Sequence, residues 1–95
     1  MKMLLIVFHQ SIVEHIHALL KEYEVNAFTE LHNVAGMGKT GPTGPRNFAN
    51  CMILTAVSEQ LAYRLIDGFT RFKAEQGMGQ HHNVHVFVLP CEQMV

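Results

Sequence analysis

The chain has 95 residues, 48% of them hydrophobic and 16% charged, with a formal net charge of -1. That length supports one small hydrophobic core, and that composition excludes a disordered chain. The near-zero charge and the lack of a lysine block argue against nucleic acid and anionic membrane surfaces as partners.

Met1 to Phe8 is apolar at nearly every position and predicts a strand covered on both faces. Ser11, with Glu14 three residues later, predicts a capping box that opens a helix. The apolar residues of that helix, Ile12, Val13, Ile16, Leu19 and Leu20, share one face at the 3.6-residue period. Ala27 to Val34 predicts a second strand and Phe48 to Val57 a third. Between them, Val34 to Arg46 holds four glycines and two prolines, which predicts a flexible loop over about 36–46. Ser58 caps a second helix with an apolar stripe of Leu61, Leu65, Phe69 and Phe72. Gly77 to Asn83 reads as another loop, and Val84 to Leu89 as a last strand ended by Pro90.

Strand, helix, strand, strand, helix, strand is the ferredoxin-like βαββαβ order of an α+β fold, an antiparallel sheet with two helices on one face. No internal boundary is visible, so residues 1–95 are expected to form a single domain. Helices on one face leave the other bare, yet these strands are apolar on both sides. Met52 and Leu54 alternate with Cys51 and Ile53, and Phe87 and Leu89 with Val86 and Val88. A bare apolar sheet predicts self-association. The longest purely apolar run, Met3 to Phe8, is too short to span a bilayer or serve as a signal-peptide core. A cytoplasmic protein is expected, without direct membrane insertion, and Cys51 and Cys91 are expected to be free thiols.

Three sets of residues carry chemistry. Gly36-Met37-Gly38-Lys39-Thr40-Gly41 offers backbone N–H groups beside a lysine and a hydroxyl, the parts of a phosphate site. The run leads towards a strand and not a helix, so it is no Walker motif, and a plain connector accounts for its composition as well. His81, His82 and His85 suit a divalent transition metal, with His32 as a further ligand, although a solvated polar turn explains the cluster too. His15 and His17 are expected to face solvent from the first helix, and His9 to begin the turn before Ser11. The acidic residues, Glu30 among them, are expected mostly on helix surfaces and termini. No nucleophile, base and oxyanion hole come together, so no enzyme is expected.

The stretch Thr29-Glu30 leading to Val34-Ala35-Gly36-Met37-Gly38-Lys39-Thr40-Gly41 resembles the entry to the ligand-sensing loop of the PII signalling proteins. Val84-His85-Val86-Phe87-Val88-Leu89-Pro90-Cys91-Glu92 is similar to that family's last core strand, and Met1 to Val7 to its first. The resemblance spans the whole chain. It implies a homotrimer whose sheets line a central barrel, with adenine nucleotides bound in clefts between subunits. It also implies a loop that signals to transporters and enzymes. The sequence departs from the family pattern at several points. The loop has no tyrosine, His85 stands in place of a phosphate-gripping lysine, and His82-Asn83-Val84 replaces a Gly-x-Gly turn. The sequence ends at Val95 without a basic tail. Charge-assisted hydrogen bonds contribute about 1.5–3 kcal/mol each, and ~1.4 kcal/mol is tenfold in affinity, so ATP binding of the usual kind is expected to be weakened.

These features support two expectations. In one, the chain is a PII-like regulator that senses a nucleotide or another anion with Gly36, Gly38, Lys39, Thr40, His82 and His85, and signals to a partner such as a membrane transporter. In the other, it is a metal sensor or tolerance protein of CutA-like trimeric architecture that uses His81, His82, His85 and His32.

Overall fold

The computed structural model describes residues 1–36, 47–75 and 84–95. Strand β1 (Lys2–His9) is followed by a 3-10 turn (Gln10–Ile12), helix α1 (Val13–Glu22), β2 (Thr29–Gly36), β3 (Asn47–Val57), helix α2 (Glu59–Glu75) and β4 (Val84–Pro90). The four strands form one sheet in the order β2-β3-β1-β4, with every pairing antiparallel. This is the α+β, ferredoxin-like architecture that the order of apolar runs predicts. The glycine-rich stretch over 37–46 and the loop over 77–83 lie outside the described residues.

The β1 register places Leu4 opposite Thr55, Ile6 opposite Ile53 and Phe8 opposite Cys51. All six are buried, and they form the sheet's contribution to the core. Against this face pack Ile12, Ile16 and Leu20 before and along α1, and Ala62, Leu65 and Phe69 of α2. The alternate residues point the other way. Met3, Leu5 and Val7 pair with Ala56, Leu54 and Met52 on one side and with Leu89, Phe87 and His85 on the other. No helix covers that second face among the described residues, and Phe87 and Leu89 remain 50% and 46% exposed.

The start of α1 departs from the sequence expectation. Ser11 and Glu14 do not make a capping box. The Ser11 N–H donates to His9 Nδ1 at 3.1 Å, the Ser11 hydroxyl lies 2.8 Å from the same nitrogen, and α1 begins only at Val13. The imidazole at the end of β1 therefore supplies the acceptor that a serine was expected to supply, and the first turn winds tighter. At α2 the expectation holds: the Leu61 N–H donates to Ser58 Oγ at 3.1 Å.

The exit of α1 fixes how the chain turns towards β2. Val25 N–H donates to the Leu20 carbonyl at 2.8 Å and Glu24 N–H to the Lys21 carbonyl at 2.9 Å. These are the two bonds of a Schellman motif, with buried Val25 as its apolar partner. The motif requires a left-handed residue, and Glu24 takes that place at φ 63. A Cβ in this region is strained, which is why glycine dominates the position. Beside this turn the two helices approach closely, since a Cβ on Gly68 of α2 would meet the Tyr23 ring at 2.8 Å. The same ring is held by the Arg71 Nη2 donor at 2.7 Å and lies under the Arg64 guanidinium. Glu24→Gly is expected to stabilise the protein by roughly 0.5–1 kcal/mol in chemical denaturation, because relief of strain outweighs the added freedom of the unfolded chain. An unchanged or lower midpoint would contradict this reading of the turn.

Candidate functional site

The sequence-chosen residues that the structure describes fall at opposite edges of the sheet. Gly36 ends β2, one edge strand, and His85 lies in β4, the other. Two strands separate them, which at about 4.8 Å per strand spacing puts the edges ~14 Å apart. His85 projects from the open face opposite Val7, its ring 6.5 Å from that of Phe87, whereas Val84 and Val86 turn to the core. Gly38, Lys39, Thr40, His81 and His82 lie outside the described residues.

The same topology keeps His32 apart from His85. It sits on β2, across the sheet from His85, so the two cannot ligate one metal ion within a chain. Its Nε2 instead lies 2.5 Å from Glu30 Oε2, while His17 Nε2 reaches Glu30 Oε1 at the same distance. Among the described residues, no group of three histidine, cysteine or acidic side chains is arranged to hold a metal ion. Both cysteines are free, and Cys51 is buried.

Glu30 is the residue that sequence reasoning misses. It is paired opposite Ile53, so its side chain leaves β2 on the helix-covered face. Only 16% of that side chain is exposed, and each carboxylate oxygen meets one imidazole N–H. His17 comes from α1, where its ring also packs 5.6 Å from that of Phe28, so it is not simply a solvent-facing helix residue. Burial pushes the Glu30 carboxyl up, but the hydrogen bonds and charges of His17 and His32 outweigh it, and the net displacement is below the ordinary glutamate value. The neighbouring Cys51 thiol is pushed up, first by burial and then by the Glu30 charge.

On the open face, Met3, Phe28, Thr29, Leu54, Ala56 and Met94 surround a hollow of about 550 Å³. Of the described candidates, Gly36, His32 and His85 do not line it. A hollow made by three strands and the C-terminal segment has no local sequence signature.

A carboxylate whose folded pKa is depressed adds stability above its unfolded value, and that stability is lost as pH falls through the folded value. Glu30→Gln is therefore expected to lower stability by up to about 1 kcal/mol at neutral pH, the range of partly exposed ion pairs. The gap between wild type and variant should close as pH falls below the carboxylate range of about 4. Urea unfolding at several pH values measures this, and a gap that persists or widens below pH ~4 would overturn the ionised assignment.

Comparison with known proteins agrees with this architecture. The sequence model of the family described as "Nitrogen regulatory protein P-II" matches residues 1–95. Among solved structures, the chain is similar to CPII, a nitrogen regulatory PII-like protein from Thiomonas intermedia K12 bound to ADP, AMP and bicarbonate. Identity is 31% and the TM-score 0.74, over 93% of this chain and 88% of that one. CPII from the same organism bound to ADP and bicarbonate is 26% identical with a TM-score of 0.69, over 97% and 88%. The apo form of CPII is 27% identical with a TM-score of 0.66, over 93% and 87%. Among curated proteins, none matches. The helix-backed antiparallel sheet and the match over the whole sequence together place this chain in the nitrogen regulatory protein P-II family.

Proposed function

We propose that this chain is a non-enzymatic PII-like regulator of the cytoplasm. It senses an adenine nucleotide, with bicarbonate as a second anion, in clefts between the subunits of a homotrimer. The observation that carries this reading is the likeness to CPII bound to ADP, AMP and bicarbonate, at 31% identity over 93% of the chain. The sheet geometry supports the placement between subunits. Gly36 and His85 stand at opposite sheet edges, and a contact between the β2 edge of one copy and the β4 edge of another would bring them to one ligand. Packing the open faces of several copies together would also cover Phe87 and Leu89.

In this reading Gly36, Gly38, Lys39 and Thr40 of one subunit cradle the anionic part of the ligand. His82 and His85 of the next provide the opposing donors. The loop between β2 and β3 then takes a ligand-dependent shape and docks on a partner protein, such as a membrane transporter. No described helix is long and apolar enough to cross a membrane.

Titration calorimetry with ADP, with and without bicarbonate, is expected to show binding. His85→Ala should lose about tenfold in affinity, the scale of one charge-assisted hydrogen bond. Absence of ADP and AMP binding would contradict the nucleotide reading.

A further inference from the structure

Strand β2 has two opposed features. Its inner half pairs regularly with β3, Thr29 opposite Leu54, Glu30 opposite Ile53 and Leu31 opposite Met52. Its outer half does not. The register shifts between Leu31 and Val34 and again between Val34 and Gly36, and Asn33 adopts φ 58. Such bulges bend a strand and re-aim the residues beyond them. As an edge strand, β2 has a hydrogen-bonded neighbour on one side only. A bent edge strand with an interrupted ladder needs another attachment if its end is to keep one direction.

The attachment lies where the regular pairing stops. Glu30 takes an N–H from His17 of α1 on one oxygen and from His32 of β2 on the other. His32 lies immediately before Asn33, so the carboxylate spans the approach to the bulge. His17 is tied down further by its ring contact with Phe28, which precedes β2. One side chain thus links helix, regular strand and bulge.

We propose that Glu30 is a positioning residue, which through His17 and His32 clamps the outer end of β2 to α1 and so fixes the direction in which the chain reaches Gly36. The proposal rests on the reading of Gly36 as the start of the ligand-sensing loop. Glu30 touches no ligand in it and acts through the strand. Loss of the clamp leaves the core intact and frees β2 beyond Leu31.

Backbone amide exchange in the free protein tests this, with ADP affinity as a second readout. In Glu30→Ala, amides of residues 31–36 are expected to exchange roughly 5- to 30-fold faster, the range for two lost hydrogen bonds. Amides of α2 and β4 should accelerate by no more than the loss of global stability accounts for. Glu30→Gln, which can still accept one N–H and donate to the other imidazole, should recover more than half of the logarithmic loss. ADP affinity should fall in the alanine variant and recover in the glutamine variant. Unchanged exchange over 31–36, or acceleration spread evenly over the molecule, would overturn the clamp. If wild-type protein binds no ADP, the regulator reading fails, and the exchange comparison still decides the clamp.

Discussion

Everything in this protein depends on a sheet that is apolar on both faces and has helices for only one of them. Leu4, Ile6 and Phe8 are satisfied by α1 and α2, while Met3, Leu5 and Val7, one residue out of phase, look onto an uncovered face. The hydrophobic effect acts on both sets alike, at roughly 25 cal/mol per Å² of apolar surface removed from water. Among the described residues no second layer covers the open face. Association of copies would complete the core there, and it would also bring Gly36 and His85 to one ligand.

That constraint is legible in the sequence because it is periodic. The apolarity of the first strand at nearly every position, and the alternation of Met52 and Leu54 with Cys51 and Ile53, are patterns over a few neighbouring residues. The Ser58 cap is read in the same local way. What escapes is non-local or conformational. The Glu30 cluster joins residues 13 apart whose meeting depends on how α1 docks, and no spacing rule announces it. Glu24 takes a left-handed conformation that its residue type disfavours, and Asn33 one that asparagine tolerates better than most residues but that no local pattern announces. His9 displaces Ser11 as the helix-starting acceptor because β1 runs one residue further than its last apolar position. His32, chosen for metal chemistry, is held by a carboxylate at the far edge from His85.

Stability and sensing divide along the same line. The buried face is closely packed, with Gly68 admitting Tyr23 between the helices and Thr55 donating to the Ala27 carbonyl at 2.9 Å. The edge strand β2 is built with bulges and carries the Glu30 cluster where its regular pairing stops. In the proposed clamp, that position would let the rigid frame set the direction in which β2 reaches Gly36.

The central claim is that the open sheet face is an interface between copies of the chain. Sedimentation equilibrium of the ligand-free protein at micromolar concentration tests it most directly. The account predicts one species at three times the chain mass, unaffected by moderate salt because the contact is apolar. A stable monomer under those conditions would contradict it.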